Sequence, residues 1–321
     1  MRKPWLIATF YEFAPWTEAQ ALAACETLRS SARRLDLVGL CIVAPEGLNG
    51  TCSGRAEAVR AFVSDVRSEL GLRLSNVQES RSARAPFDSF RASLRPEIVT
   101  LGDPALTPLA SASPSRRALS PEEFHAVFSS GDPDVTVLDT RNWYETQLGR
   151  FTGAVLPTTG EFQEFPAWLR ASGLAKDKPV LLYCTGGIRC EKAILEMDRQ
   201  GFQDVRQLDG GILHYLEHYP EGAFEGECFV FDRRVAVDQF LAPSVRFRPC
   251  VHCGQPSEGR VTCPRCGENG HVCASCAASS LEGRHTCSKN CAHHWRLTPG
   301  KPGRARTIGS PPVVEISCIE G

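Results

Sequence analysis

Val180-Leu-Leu-Tyr-Cys184-Thr-Gly-Gly-Ile-Arg189-Cys190-Glu-Lys-Ala-Ile-Leu-Glu-Met197 runs from a short apolar block, through two glycines, into a segment of helical periodicity. Four consecutive apolar residues read as a strand covered on both faces, as parallel strands are. The glycines make a tight loop, and a helix begins near Arg189. Such a strand-loop-helix crook aims successive backbone N–H groups and a helix N-terminus at one point. A thiol at that point, Cys184, has its anion stabilised by the amides of Thr185, Gly186, Gly187 and Ile188, with the Arg189 charge beside them. The carboxyl end of a parallel strand is also where ligands bind in open α/β sheets. A free cysteine alone is more often a small buried hydrophobe. The ordered strand, Gly-Gly, Arg and helix tip the reading towards chemistry. Four residues separate Cys184 from Arg189. That is one fewer than in the loop with which cysteine phosphatases ring a phosphate, and the place of their arginine is taken by Cys190. Phosphatase chemistry is disfavoured.

Working outward, Val135-Thr-Val-Leu-Asp139 is a second buried strand, and Ser120-Pro-Glu-Glu-Phe opens a helix with a serine cap and proline in its first turn. Residues 120–225 therefore read as a parallel-sheet α/β domain. Asp139 and Arg141 follow its strand; they either pair to fix the loop or, with Arg141 turned outward, orient a substrate anion. Cys190 is either a packed small residue or a resolving thiol for an oxidised Cys184. Glu191 suits the start of the helix, and Lys192 could face RNA.

Residues 1–100 read as a smaller α+β unit. Leu6 to Tyr11 and Leu37 to Ala44 are strand-like, and Thr17 to Arg34 places Ala21, Leu22, Cys25 and Leu28 on one helical face. Pro45-Glu-Gly-Leu-Asn-Gly reads as a turn, and Ala56 to Gly71 as a second helix. The βαβ…αβ order suggests a ferredoxin-like, acylphosphatase-like sheet. Residues 101–119 are rich in Pro and Ser and read as a linker. Residues 226–248 connect the α/β domain to a cysteine-rich segment, 249–297, and residues 298–321 read as a disordered tail.

Eight of the 15 cysteines fall in four tight pairs: Cys250 and Cys253, Cys263 and Cys266, Cys273 and Cys276, Cys287 and Cys291. An odd total and CxxC pairing favour metal over disulfides, so up to two structural Zn2+ ions are expected. Consecutive and cross-braced pairings both fit the spacing. His252, His271, His285, His293 and His294 are spare ligands. From Val245 to Arg306 there are ten Lys/Arg against three Asp/Glu. Two four-thiolate zinc sites reduce this +7 to about +3, a mild basic surface compatible with RNA.

The net charge of −1 and 42% hydrophobic content are those of an ordinary globular chain. No apolar run is long enough to span a bilayer, and no signal peptide is visible, so the expected location is the cytoplasm. No GxGxxG follows a strand, so no flavin or nicotinamide site is expected. No His-x-Asp/Glu pattern suggests non-haem iron. The oligomeric state is not legible.

The Cys184 loop, together with Leu138-Asp-Thr-Arg-Asn, Tyr144-Glu-Thr, Gly149-Arg-Phe-Thr-Gly-Ala, Gly201-Phe and Leu208-Asp-Gly-Gly-Ile, resembles a rhodanese domain. More closely, the chain resembles the oxygen-dependent tRNA uridine(34) hydroxylases. Pro45-Glu-Gly-Leu-Asn-Gly-Thr, Arg95-Pro-Glu-Ile-Val-Thr-Leu-Gly and Glu227-Cys-Phe-Val-Phe-Asp-Arg-Arg agree, and the resemblance spans residues 5–295. It implies hydroxylation of the wobble uridine of the tRNA anticodon loop to 5-hydroxyuridine, with molecular oxygen as a substrate. It makes Cys184 the expected persulfide-forming residue, fed by a sulfur donor. Cysteine spacing in the family's tail varies, so its metal content is the less firmly implied part. A sulfurtransferase without an RNA substrate, and a non-catalytic zinc-stabilised RNA-binding module, are the alternatives.

Overall fold

The computed structural model describes residues 5–110, 117–279 and 285–297. The tail read as disordered lies outside them.

The N-terminal part begins with β1 (Trp5–Phe13), α1 (Glu18–Arg34), β2 (Val38–Ala44) and β3 (Gly47–Gly54). It continues with α2 (Ala56–Leu70), β4 (Val77–Ser82) and β5 (Phe90–Leu94). The sheet runs β4-β1-β3-β2-β5, antiparallel except for the β2–β5 pair. This is the expected acylphosphatase-like arrangement, with one strand added at its edge. The segment read as a turn is in fact the start of β3. Glycine, asparagine and serine hid it, because they lack the β-branched signature of strands. The turn proper is Pro45 and Glu46, and Gly47 must be glycine: at φ 135° a Cβ would lie 2.1 Å from the Glu12 carbonyl oxygen.

Helix α1 starts with a reciprocal capping box between Thr17 and Gln20. Its buried stripe is Ala21, Ala24, Cys25 and Leu28, whereas Leu22 is 52% exposed. The 3.6-residue period carries the stripe past position 22. These side chains pack with Phe10, Leu48, Phe62 and Val66 on one face of the sheet. The opposite face, with Thr9, Tyr11, Asn49 and Thr51, walls a cleft.

The α/β part comprises β6 (Ala118–Leu119), α3 (Pro121–Ser129), β7 (Thr136–Asp139), α4 (Trp143–Thr146) and β8 (Gly149–Phe151). There follow α5 (Phe165–Ala171), β9 (Val180–Tyr183), α6 (Ile188–Arg199), β10 (Val205–Leu208) and α7 (Gly211–His218). Strands β6-β10-β9-β7 form a wholly parallel sheet. Its central strand β9 alternates between two cores. Val180, Leu182 and Cys184 join one, and Leu181 and Tyr183 the other. That explains its unbroken apolar sequence. Within the segment read as a linker, Leu101 is buried in the first core and Ala118–Leu119 is the sheet's edge strand. Strand β11 (Phe224–Gly226) pairs with β8, and β12 (Cys228–Phe229) pairs with β13 (Ala236–Val237).

From Arg246 onward the chain forms a separate compact unit. It contains the hairpins β14 (Arg248–Pro249) with β15 (Pro256–Ser257) and β16 (Arg260–Thr262) with β17 (Asn269–His271). Two short helices follow, α8 (Ala274–Ala277) and α9 (Lys289–Leu297). Its apolar core is little more than Val272 and cysteines, too small to hold a fold without a staple. Among the described residues no helix is long and apolar enough to cross a membrane.

Candidate active site and metal centres

Cys184 stands directly after β9, on the wall of a cleft of about 690 Å³. The Gly187 amide donates to its Sγ at 3.1 Å. The loop is closed from behind by α7, whose first residue, Gly211, lies at φ 65°. A Cβ there would come within 2.5 Å of the Cys184 carbonyl and 2.8 Å of the Gly187 nitrogen, so only glycine lets α7 support the crook. Burial by itself pushes the Cys184 thiol up. The hydrogen bond from the Cys190 thiol, the Arg189 charge and the Arg189 and Gly187 amides outweigh it, and the thiol falls to about 5.

Arg189 is oriented by a partner that the sequence reading did not single out. Its guanidinium donates to both oxygens of Glu145, at 2.6 and 2.9 Å, and to Thr185 Oγ1 at 3.4 Å. Glu145 is wholly buried on α4. The Tyr144-Glu-Thr motif marked its neighbourhood, but nothing local paired it with Arg189. Thr185, Gly186, Ile188 and Arg189 line the cleft with Cys184.

Asp139 and Arg141 do not line it. They are fully buried and paired at 2.7 Å, and Arg141 also donates to the Gly149 carbonyl at 2.6 Å. Their place is that of a strut behind the loop, because a desolvated guanidinium must keep its carboxylate. Cys190 is buried on the first turn of α6, with Thr140 Oγ1 3.6 Å from its Sγ. Burial holds that thiol well above its ordinary value. The surroundings thus push the Cys184 and Cys190 thiols in opposite directions.

Lys192 does not reach RNA. It is wholly buried between Glu46 at 2.9 Å and Glu97 at 2.6 Å, residues of the N-terminal part. A lysine on a half-apolar helix reads as solvent-facing until an acidic partner closes over it. Glu191 is not merely a helix-end charge. It accepts from Tyr11 Oη at 3.3 Å and from Gln207 Nε2 at 2.8 Å, and burial raises its pKa. Asn76 donates to Asp209 at 2.7 Å, and Gln78 donates to the Gly210 carbonyl. The N-terminal sheet is therefore a working wall of the site, which its sequence did not reveal.

In the C-terminal unit the eight cysteines form two groups of four. Cys250, Cys253, Cys273 and Cys276 are one, and Cys263, Cys266, Cys287 and Cys291 the other. The pairing is cross-braced. The sulfurs of Cys253 and Cys273, and of Cys266 and Cys287, lie 3.5 Å apart, and Cys291 lies 3.7 Å from both Cys287 and Cys266. A tetrahedron of Zn–S bonds has edges of about 3.8 Å, so both groups fit such an ion. Cysteines complete each group, and the histidines are not called upon. Helix α7 also brings His214, Glu217 and His218 together on its partly exposed face. This i, i+3, i+4 spacing differs from the His-x-Asp/Glu pattern.

Residues 5–98 match the UPF0176 acylphosphatase like domain, residues 120–218 the Rhodanese-like domain, and residues 225–292 the Rhodanase C-terminal region. The chain is 40% identical over 303 residues to a tRNA uridine(34) hydroxylase of Bdellovibrio bacteriovorus, covering 94% of this chain and 85% of that protein. It is 38% identical to one from Wolbachia pipientis, covering 86% of this chain and 96% of that protein. A Legionella pneumophila relative of the same name is 41% identical, covering 74% and 91%.

Proposed function

The chain belongs to the tRNA uridine(34) hydroxylase family, and we propose that it converts the wobble uridine of tRNA to 5-hydroxyuridine with Cys184 as its catalytic thiolate. The observation that carries this reading is the buried Cys184 Sγ, held by the Gly187 amide at 3.1 Å beside Arg189, on the wall of a cleft of about 690 Å³. That volume lies in the range of small-molecule sites and suits a base swung out of its stack. Anticodon-loop bases are unpaired, so extruding one costs little.

The roles follow from ordinary pyrimidine chemistry. A thiolate adds to the electron-poor C6 of uracil and leaves electron density at C5, where oxygen enters. Placing one atom of O2 on C5 and reducing the other to water takes two electrons and two protons. After Cys184 leaves C6, closing a Cys184–Cys190 disulfide supplies both, and a small thiol from solution restores the pair. Arg189 and the loop amides stabilise the thiolate each time it forms. The same cradle would hold a persulfide on Cys184 delivered by a sulfane-sulfur donor. In the C-terminal unit, two Zn2+ ions held by the cross-braced cysteines would supply structure and no chemistry. The enzyme acts where tRNA resides, in the cytoplasm.

Mass spectrometry of tRNA nucleosides from a deletion strain tests the reading. Loss of 5-hydroxyuridine and its derivatives, restored by the wild-type chain but not by Cys184→Ser, is expected. Restoration by Cys184→Ser, or an unchanged nucleoside profile in the deletion, would overturn it. Full activity of Cys190→Ser under oxygen, with no intramolecular disulfide found after turnover, would remove Cys190 from the scheme and leave Cys184 in place.

A further inference from the structure

Four aromatic rings run in unbroken contact beside the Cys184 cleft, and two of them, Tyr144 and Phe231, line it. Trp143 meets Tyr144 edge-on at 6.3 Å between centroids, Tyr144 meets Phe229 at 5.6 Å, and Phe229 meets Phe231 at 4.9 Å. The two ends of the run are open to solvent: Trp143 is 43% and Phe231 61% exposed. The two middle rings are partly buried and hold the ends in place. Tyr144 is further fixed by Asn142, which donates to its hydroxyl at 3.1 Å. Phe231 lines the cleft, and the Arg189 guanidinium lies 5.8 Å from its ring centroid. Large aromatics left exposed at a concave site mark a binding surface. Rings locked by edge-to-face neighbours lose little freedom when a ligand stacks on them.

We infer that Phe231, on the cleft wall, and Trp143, at the far end of the run, are stacking platforms for unpaired RNA bases next to the uridine that enters the cleft. This rests on the RNA-hydroxylase reading above and deepens it. Single-stranded RNA is held by π-faces that accept any base. Two platforms spaced along the run would hold the loop open beside the cleft and let the target base reach Cys184. Because stacking is tolerant of sequence, the rail would set affinity and register, while the identity of the target base is read inside the cleft.

The test uses the full chain and an anticodon stem-loop RNA carrying 2-aminopurine next to the target uridine, so that stacking quenches its fluorescence. Wild type is expected to bind the RNA and quench it. Phe231→Leu and Trp143→Leu, which keep apolar bulk but no π-face, should each bind roughly tenfold or more weakly and lose quenching. Phe231→Trp should retain both. Equal affinity and quenching in the leucine variants would overturn the inference while leaving the hydroxylase reading intact. If Phe231→Leu slows Cys184 alkylation in step with its loss of affinity, the ring acts through Arg189 and the stacking role is overturned. A wild-type chain that does not bind the stem-loop at all would sink both readings together.

Discussion

Arg189 and Glu145, 44 residues apart, meet through two hydrogen bonds of 2.6 and 2.9 Å, with Glu145 fully buried and Arg189 nearly so. The pair converts a flexible cation into a fixed element of the thiolate site. A bidentate guanidinium–carboxylate fork sets direction as well as distance. Charge alone would not hold Arg189 beside Cys184, because a buried arginine without its acid would seek water.

Glu145→Ala should therefore destabilise the protein by about 3–5 kcal/mol, the usual cost of leaving a buried charge unpaired. Chemical denaturation checks this. Arg189→Lys keeps the charge but loses the fork. It should lower kcat/KM for RNA by about 10²-fold, the scale of losing one preorganised donor. Wild-type kinetics in Arg189→Lys would show that geometry is irrelevant here.

Iodoacetamide alkylation of Cys184 should titrate with a midpoint near the value of about 5 that its surroundings set. Hydroxylation should fade as pH falls through the same range, because the protonated thiol is inert. The linkage has a matching sign. Between the folded value and the ordinary thiol value of 9.0, the unfolded chain holds a proton that the folded chain has shed. This group's contribution to stability is thus complete above that upper value and is lost as pH falls through the folded one. Arg189→Met should move the alkylation midpoint upward.

Lys192→Met should expose the opposition between Glu46 and Glu97, which share that one ammonium. We expect a loss of about 3–5 kcal/mol at pH 7 and a smaller loss at pH 5. Burial already raises the Glu46 carboxyl, and removing Lys192 raises it further. The folded variant then takes up a proton that the unfolded chain does not, so stability returns as pH drops. Urea melts at the two pH values decide it.

The purified chain should hold two equivalents of zinc, measured by elemental analysis. The cross-brace makes a sharper prediction. Cys250→Ser with Cys273→Ser damages one group only and should leave one equivalent, whereas Cys250→Ser with Cys263→Ser damages both and should leave none. Consecutive pairing would reverse the two results.

The sequence by itself determined whatever short stretches of chain specify. An apolar block, two glycines and an amphipathic segment require a strand, a crook and a helix, and so place Cys184 and Arg189 together whatever surrounds them. The cap at Ser120 and the four cysteine pairs were legible for the same reason, since each is a local pattern with one physical meaning. Periodicity reports which face of an element is buried, but not what covers it. Only the tertiary structure decided that Glu145 holds Arg189, that two glutamates enclose Lys192, that one face of the N-terminal sheet walls the cleft, and that the cysteine pairs interleave. Each of these is a contact between residues far apart in the chain, made when separate elements pack, and a partner chosen by packing leaves no mark in the local sequence of either residue.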